Sequence, residues 1–250
     1  MQDSQPPSSA RAIGRSLRIY HRGEDRIRRM DALNARFVRP GGLVFDIGAH
    51  VGDRVASFRR LGARVVAVEP QPVAMRALRL MFGRDPGVSL VPAAVAAEAG
   101  TIRLYLNTRN PTVSSASPAF IAAAGDAPGW TGERWDQSVE VPAVTLDDLI
   151  AGHGVPDFVK IDVEGYEAEA ISGLGRPLAA LSFEFTTHQR ESALDALFRL
   201  TRLAEHVFNV SIGERHALEM PDWSSADTMA RFLRQLPADL NSGDVYALRR

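Results

Sequence analysis

A short apolar run that stops on a glycine-rich turn limits what this chain can fold into more than any other stretch. Leu43-Val44-Phe45-Asp46-Ile47 has the length of a strand, and Gly48-Ala49-His50-Val51-Gly52 follows at once. Pro40-Gly41-Gly42 breaks the preceding helical pattern. Past the turn Val55, Phe58 and Leu61 recur at three-residue steps, so a helix follows the strand, with Asp53 available as its cap. Strand, glycine turn and helix make the first half of a βαβ unit. An open α/β sheet binds its ligand at the carboxyl ends of such strands, where glycine lets a ligand come close to the backbone.

The rest of the chain keeps this alternation. Arg64-Val65-Val66-Ala67-Val68 reads as a second strand ending at Glu69-Pro70, and Pro72 opens a helix carrying Val73, Met75, Leu78 and Phe82. Strands are expected at 89–92, 101–106, 157–161, 180–185, 207–212 and 245–248, with regular structure also at 144–150. Helices are expected at 167–174, 191–205 and 225–236, the middle one with Leu194, Leu197, Phe198 and Thr201 on one side. The order predicts an α/β, Rossmann-like fold, a doubly wound and mostly parallel sheet with helices on both faces.

With 45% hydrophobic residues in 250, the chain can fill one such core over 40–250. Before it, the basic stretch 11–39 spaces Ile13, Leu17, Ile27, Met30, Leu33 and Phe37 as one or two amphipathic helices, and the Gln, Ser and Pro-rich residues 1–10 read as a disordered tail. Residues 107–138 lose all periodicity while keeping Trp130 and Trp135, which makes them a candidate lid or substrate loop.

Lys and Arg number 29 against 30 Asp and Glu, so no net field gathers nucleic acid or an anionic membrane. The expected partner is a small molecule, and association of like chains is compatible with the composition. The absence of cysteine excludes disulfides, thiolate zinc sites and a cysteine nucleophile. No apolar run reaches about 18 residues and no secretory signal pattern opens the chain, so a cytoplasmic location is expected.

The glycine loop also says which cofactor to expect. A dinucleotide site wants G-x-G-x-x-G; with Gly48 as the second glycine, Asp46 and Val51 stand where the first and third belong. A carboxylate there repels a diphosphate and pairs with the amino group of a sulfonium ligand, which favours a cationic, phosphate-free cofactor over NAD. A nicotinamide-dependent oxidoreductase is the alternative. Glu69 is placed to accept the hydroxyls of a ribose, common to NAD and S-adenosylmethionine, or is a surface carboxylate at a strand end. In Lys160-Ile161-Asp162-Val163-Glu164-Gly165 the three charged side chains share one face if the strand stays extended. Asp162 and Glu164 then orient a substrate or position a cation, or else cap the next helix. Glu184-Phe185-Thr186-Thr187-His188 ends another strand at the same rim. His188, with an ordinary pKa of about 6.5, is the candidate base for a hydroxyl proton, or incidental. Asp162, Glu184 and His188 are candidate ligands for a divalent metal.

The ordered set VFDIGAHVGD, VVAVEP, PAAVAAEAG, VTLDDL, FVKIDVEGYEAEAISG and FEFTTH resembles the FkbM family of S-adenosylmethionine-dependent methyltransferases over 37–185. The resemblance implies a seven-stranded class I methyltransferase fold and methylation of an oxygen, commonly a hydroxyl of a sugar or natural product. It implies that Asp46, Gly48, Ala49 and Gly52 surround the methionine part of the cofactor, that Glu69 holds the ribose, and that Ala94 and Val95 lie near the adenine. Asp162, at the cofactor, and Glu164 would face the transfer site. His50 stands where the family more usually has Asn and keeps a hydrogen-bond donor for cofactor binding, with some pH dependence expected. A non-catalytic binding subunit, docking through the basic N-terminal helices, is the reading outside enzymes.

Overall fold

In the computed structural model, which describes residues 9–125 and 127–250, the sheet grows outward from the strand before the glycine loop. β1 (Leu43–Ile47) is buried at every position and pairs in parallel with β2 (Arg64–Val68) on one side and β7 (Phe158–Ile161) on the other. β3 (Val88–Val91) extends the β2 edge and β8 (Ala180–Thr186) the β7 side, both parallel. β10 (Ser242–Arg249) then enters antiparallel between β8 and β9 (His206–Ile212). The order β3-β2-β1-β7-β8-β10-β9 gives seven strands, with β10 alone reversed.

Because successive strand side chains point to opposite faces, each strand feeds two cores. Phe45 and Ile47 of β1 join Ile161, Phe183 and Phe208 against α6 (Leu146–His153), α7 (Glu167–Ser172), α8 (Arg190–Leu203) and α9 (Ala226–Gln235). Val44, one residue away, packs on the other face with Phe58 of α3 (Asp53–Arg60), Leu78 of α4 (Pro72–Phe82) and Leu33 of α2 (Glu24–Asn34). The basic N-terminal stretch is therefore part of the domain surface. α1 (Ser9–Tyr20) sets Ile13 against Val51, Ala74 and Ala77. Of the tail expected at 1–10, residues 1–8 lie outside the described residues and Ser9 and Ala10 open α1.

Several expectations shift. The 101–106 stretch is β5 (Gly100–Leu106), outside the main sheet: it pairs with β6 (Gln137–Val144), which also takes β4 (Ala94–Val95), in a separate three-stranded sheet. The 144–150 stretch divides, because Thr145 and Asp148 form a reciprocal capping box that ends β6 and starts α6. Asp53 does not cap α3; Gly52 holds that position at φ 77 and the Asp53 carboxylate pairs with Arg26 at 2.7 Å. On α8 the buried side carries Ala193, Leu194, Ala196, Leu197 and Leu200, leaving Phe198 and Thr201 exposed.

The 107–138 stretch is ordered by its aromatics. It contains a 3-10 turn at Pro111–Val113 and α5 (Pro118–Ala124), started by the Ser117 cap. Val113, Phe120, Ala124, Ala127 and Trp130 form a small core of their own, with Trp135 against it. Among the described residues no helix is long and apolar enough to cross a membrane.

Candidate active site

The glycine loop is fixed by backbone contacts. The Gly48 and Ala49 N–H groups both donate to the Val68 carbonyl, at 2.9 and 3.0 Å, which ties the exit of β1 to that of β2. Gly48 has φ +83, and a Cβ on it would sit 1.8 Å from the Asp162 carbonyl oxygen. No other residue allows this approach of two backbones. Gly52, at φ +77, is held below the loop, where a Cβ would meet the Phe82 ring at 2.5 Å.

Glu69 is no surface carboxylate. It is 2% exposed, and its two oxygens accept from the His50 N–H and the Gln71 N–H, each at 2.8 Å. Burial pushes its carboxyl up to about 7 against the pull of those two donors. Asp46 is 1% exposed and its Oδ2 has no hydrogen-bond partner among the described residues. Burial first, then the neighbouring Asp53, raises it to about 7, while Lys160 and Arg54 oppose the shift. His50 Nε2 is also buried without a partner, and its ring stands edge-on to Tyr20 at 6.0 Å. Burial lowers His50 to about 4, so it is neutral near pH 7 and the pH dependence expected of it falls outside that range.

At the next strand end the backbone does not stay extended, since β7 stops at Ile161 and Glu164 takes φ 53. The turn still gathers carboxylates: oxygens of Asp162, Glu164 and Glu184 all lie within 4.8 Å of one another. Lys160 stays inside the sheet, donating to Asp244 at 2.7 Å and Asp162 at 3.1 Å. Burial and then the Asp162 charge hold the Glu164 and Glu184 carboxyls well above the usual range. Neither Asp162 nor Glu164 caps α7, whose N-cap position is Tyr166; the turn before it is held by Glu167 Oε1, which accepts from the Val163 and Gly165 N–H groups at 3.1 and 3.2 Å. Asp162 and Glu164 are thereby left to the cavity.

His188 is not brought to these groups. Past β8 the chain is pinned by the Thr187 N–H on the Asn241 carbonyl and the Thr187 hydroxyl on the Ala238 carbonyl, both at 2.7 Å. The His188 ring lies against Trp130 and Phe120, with centroids at 4.5 and 4.8 Å. Among the described residues neither ring nitrogen has a partner, and burial lowers its pKa to about 4. It packs the 107–138 segment, and the third group beside Asp162 and Glu184 is Glu164.

Like His188, Gly52, Lys160 and Glu167 lie outside the lining, and the other groups face one cavity of about 440 Å3. Toward β2 it is lined by Asp46, Gly48, Ala49, His50, Glu69, Ala94 and Val95. Toward β8 and β10 it is lined by Asp162, Glu164, Glu184, Thr186, Asn241 and Ser242. Asn110, Thr112, Val113, Trp130 and Glu133 of the 107–138 segment close it, together with Arg15, Ser16, Ile19 and Tyr20 of α1. Trp130 donates its indole N–H to Asn241 at 2.8 Å, and Arg15 reaches the Arg109 carbonyl. Eight Asp and Glu residues line the space against two arginines, Arg15 and Arg54. Such a lining opposes a diphosphate and suits a cationic ligand. Sequence reasoning missed the α1 residues and Asn241 and Ser242 at the entry to β10, which reach the cavity only through tertiary packing.

A family model described as the methyltransferase FkbM domain matches residues 46–236. The chain is 31% identical over 158 residues to the 31-O-demethyl-FK506 methyltransferase FkbM of Streptomyces tacrolimicus, a match covering 55% of this chain and 61% of that protein. It is 28% identical over 143 residues to the hexuronic acid methyltransferase AglP of Haloferax volcanii, covering 56% and 53%. It thus spans less than two thirds of either relative. Among solved structures, the precorrin-6y C5,15-methyltransferase of Geobacter metallireducens is similar at 14% identity and a TM-score of 0.45, over 89% of this chain and 87% of that one. The family match takes in the glycine loop, Glu69, the carboxylate cluster and the closing segment, well over half of the sequence, and the chain belongs to the FkbM methyltransferase domain family.

Proposed function

We propose that this chain transfers a methyl group from S-adenosylmethionine to a hydroxyl oxygen of a small polyhydroxylated acceptor, a sugar or natural product. The observation that carries the reading is Asp46: a buried carboxylate with an unpartnered oxygen, beside a glycine loop, in a cavity whose lining is strongly acidic. When bound, S-adenosylmethionine supplies a methyl group activated by a positively charged sulfur.

The residues present fit such a ligand. Asp46 offers its free Oδ2 to an amino group, Gly48 and Ala49 line the cavity beside it, and Glu69 presents its remaining lone pairs to ribose hydroxyls. Ala94 and Val95 give an apolar wall for the adenine. At the other side of the cavity, the acceptor hydroxyl faces the carboxylates of Asp162, Glu164 and Glu184, and a carboxylate of this cluster takes its proton. The new O–C bond forms as the C–S bond breaks. Holding the two reactants in line can supply roughly 7–11 kcal/mol of the barrier. The aromatic closure around Trp130 limits water at that point.

The names of the two relatives support an oxygen acceptor and a sugar acceptor. The acidic lining argues against a nicotinamide dinucleotide. Docking through the basic N-terminal helices loses support because Arg26 is spent internally on Asp53 and Glu214. Isothermal calorimetry with S-adenosylmethionine and S-adenosylhomocysteine tests the reading, with Glu69→Ala as control, followed by methyl transfer to a panel of sugars. Micromolar binding weakened by the substitution is expected. No binding of either ligand by folded protein would overturn it.

A further inference from the structure

Asp162, Glu164 and Glu184 crowd the side of the cavity left for the acceptor, and their charge is poorly balanced. Lys160 is the cation bound to the cluster, and its ammonium is already shared between Asp162 and Asp244. Glu164 is 9% exposed and lines the cavity, and its carboxylate takes no hydrogen bond or ion pair from any described residue. Glu184 Oε2 is buried in the same condition. An unpaired buried carboxylate is expensive, so the cluster must hold either protons or a cation.

We propose that Asp162, Glu164 and Glu184 bind one divalent cation of the Mg2+ or Mn2+ type, with its open coordination positions facing the acceptor. Three carboxylate oxygens within 4.8 Å of one another match the oxygen-rich donor set that hard cations take. Glu184 lies on β8, and Asp162 and Glu164 on the turn that follows its partner β7, so the sheet and that turn together set their spacing. Mg2+ prefers about six ligands and keeps several waters, so three carboxylates leave positions that neighbouring hydroxyls of a polyol can take. The cation then selects acceptors with adjacent hydroxyls and cancels the repulsion that this lining would exert on an acidic sugar. This selection rests on the proposed methyl transfer; the cation site itself does not.

The test uses the full chain freed of metal, titrated with Mn2+ by electron paramagnetic resonance, and with S-adenosylhomocysteine by calorimetry on the same preparation. One Mn2+ per chain is expected, weakened at least tenfold, about 1.4 kcal/mol, by Glu164→Gln and by Glu184→Gln. The affinity for S-adenosylhomocysteine should change little in both variants. Uptake of Mn2+ by the unaltered chain should release protons and raise its unfolding temperature. Folded protein that binds S-adenosylhomocysteine but no Mn2+ would overturn the proposal, as would Mn2+ binding equal in the variants. If a variant fails to fold, absence of both proton release and thermal shift in the unaltered chain overturns it too. Mn2+ binding without S-adenosylhomocysteine binding would sustain the cation site and count against the methyltransferase reading alone.

Discussion

The two walls of the cavity are held by different forces. On the β2 side, 46–71, the wall is backbone: Gly48 against the Asp162 carbonyl, two N–H groups on the Val68 carbonyl, two more on the Glu69 carboxylate. On the closing side the contacts are made by side chains to groups far apart in sequence, such as Trp130 with Asn241, Arg15 with the Arg109 carbonyl, and His188 with Phe120. The first wall has no room for an added atom. The second can lose atoms and still close in part.

The sharpest way to break this contrast is Gly48→Ala. The added Cβ meets a carbonyl oxygen, and the left-handed backbone is strained as well, costs of about 1–3 kcal/mol each. Thermal unfolding and S-adenosylhomocysteine calorimetry should show a large loss of stability and no measurable binding. Normal binding would mean the two loops yield easily.

Trp130→Ala is the matching cut in the closing wall. Truncating a buried Trp costs about 3–5 kcal/mol where the whole core depends on it, but here the loss is confined to one small cluster. Faster proteolysis within 107–138 and a raised acceptor KM are expected, with S-adenosylhomocysteine affinity nearly unchanged. An equal fall in that affinity would erase the division between the walls.

Asp46→Asn should weaken cofactor binding about tenfold, or 1.4 kcal/mol, while the fold persists. With Asp46 raised from its ordinary 3.8 to about 7, binding by the unaltered chain strengthens as pH rises through 7, because only the charged form attracts an amino group. The variant should lose the part of this dependence that Asp46 supplies, leaving that of Glu69. Stability of the free protein moves the other way. The folded form keeps protons on Asp46 and Glu69 that the unfolded chain has released, so this contribution is full below the ordinary values of 3.8 and 4.5 and is lost as pH climbs through about 7. A denaturation series across that range checks the sign.

The smallest effect is expected of His188→Phe. A ring of similar size replaces one whose nitrogens have no partners, so stability should change by less than about 1.5 kcal/mol and methyl transfer should continue. Abolished transfer with an intact fold would restore His188 as the base.

The same contrast explains what could be read in advance. That Asp46, Gly48 and Glu69 would share one rim was legible because strand periodicity and turn chemistry are local, and the ligand end of a parallel sheet follows from them, whereas Gly52 packs on Phe82 below the loop. Asp162 and Glu164 were placed at the right rim for a wrong reason. The expected extension gave way to a turn at Glu164, which gathers the carboxylates by another route. His188 looked available because its neighbours in sequence end a strand at the rim, while the rings that enclose it come from 68 and 58 positions earlier, at Phe120 and Trp130. The separate sheet of β4, β5 and β6 was hidden for a similar reason, since alternation in 101–106 does not say which strand it will pair with.

The position of β10 also orders events in time. It follows every other strand in the chain, yet lies between β8 and β9 and hydrogen-bonds to both. Until it arrives, β8 has an open edge and β9 has no strand to join, while β1, β2 and β3 can already pair. Asn241 and Ser242, at its start, are then among the last groups to reach the cavity. A chain still being made would have its cofactor wall before it had anywhere to hold an acceptor.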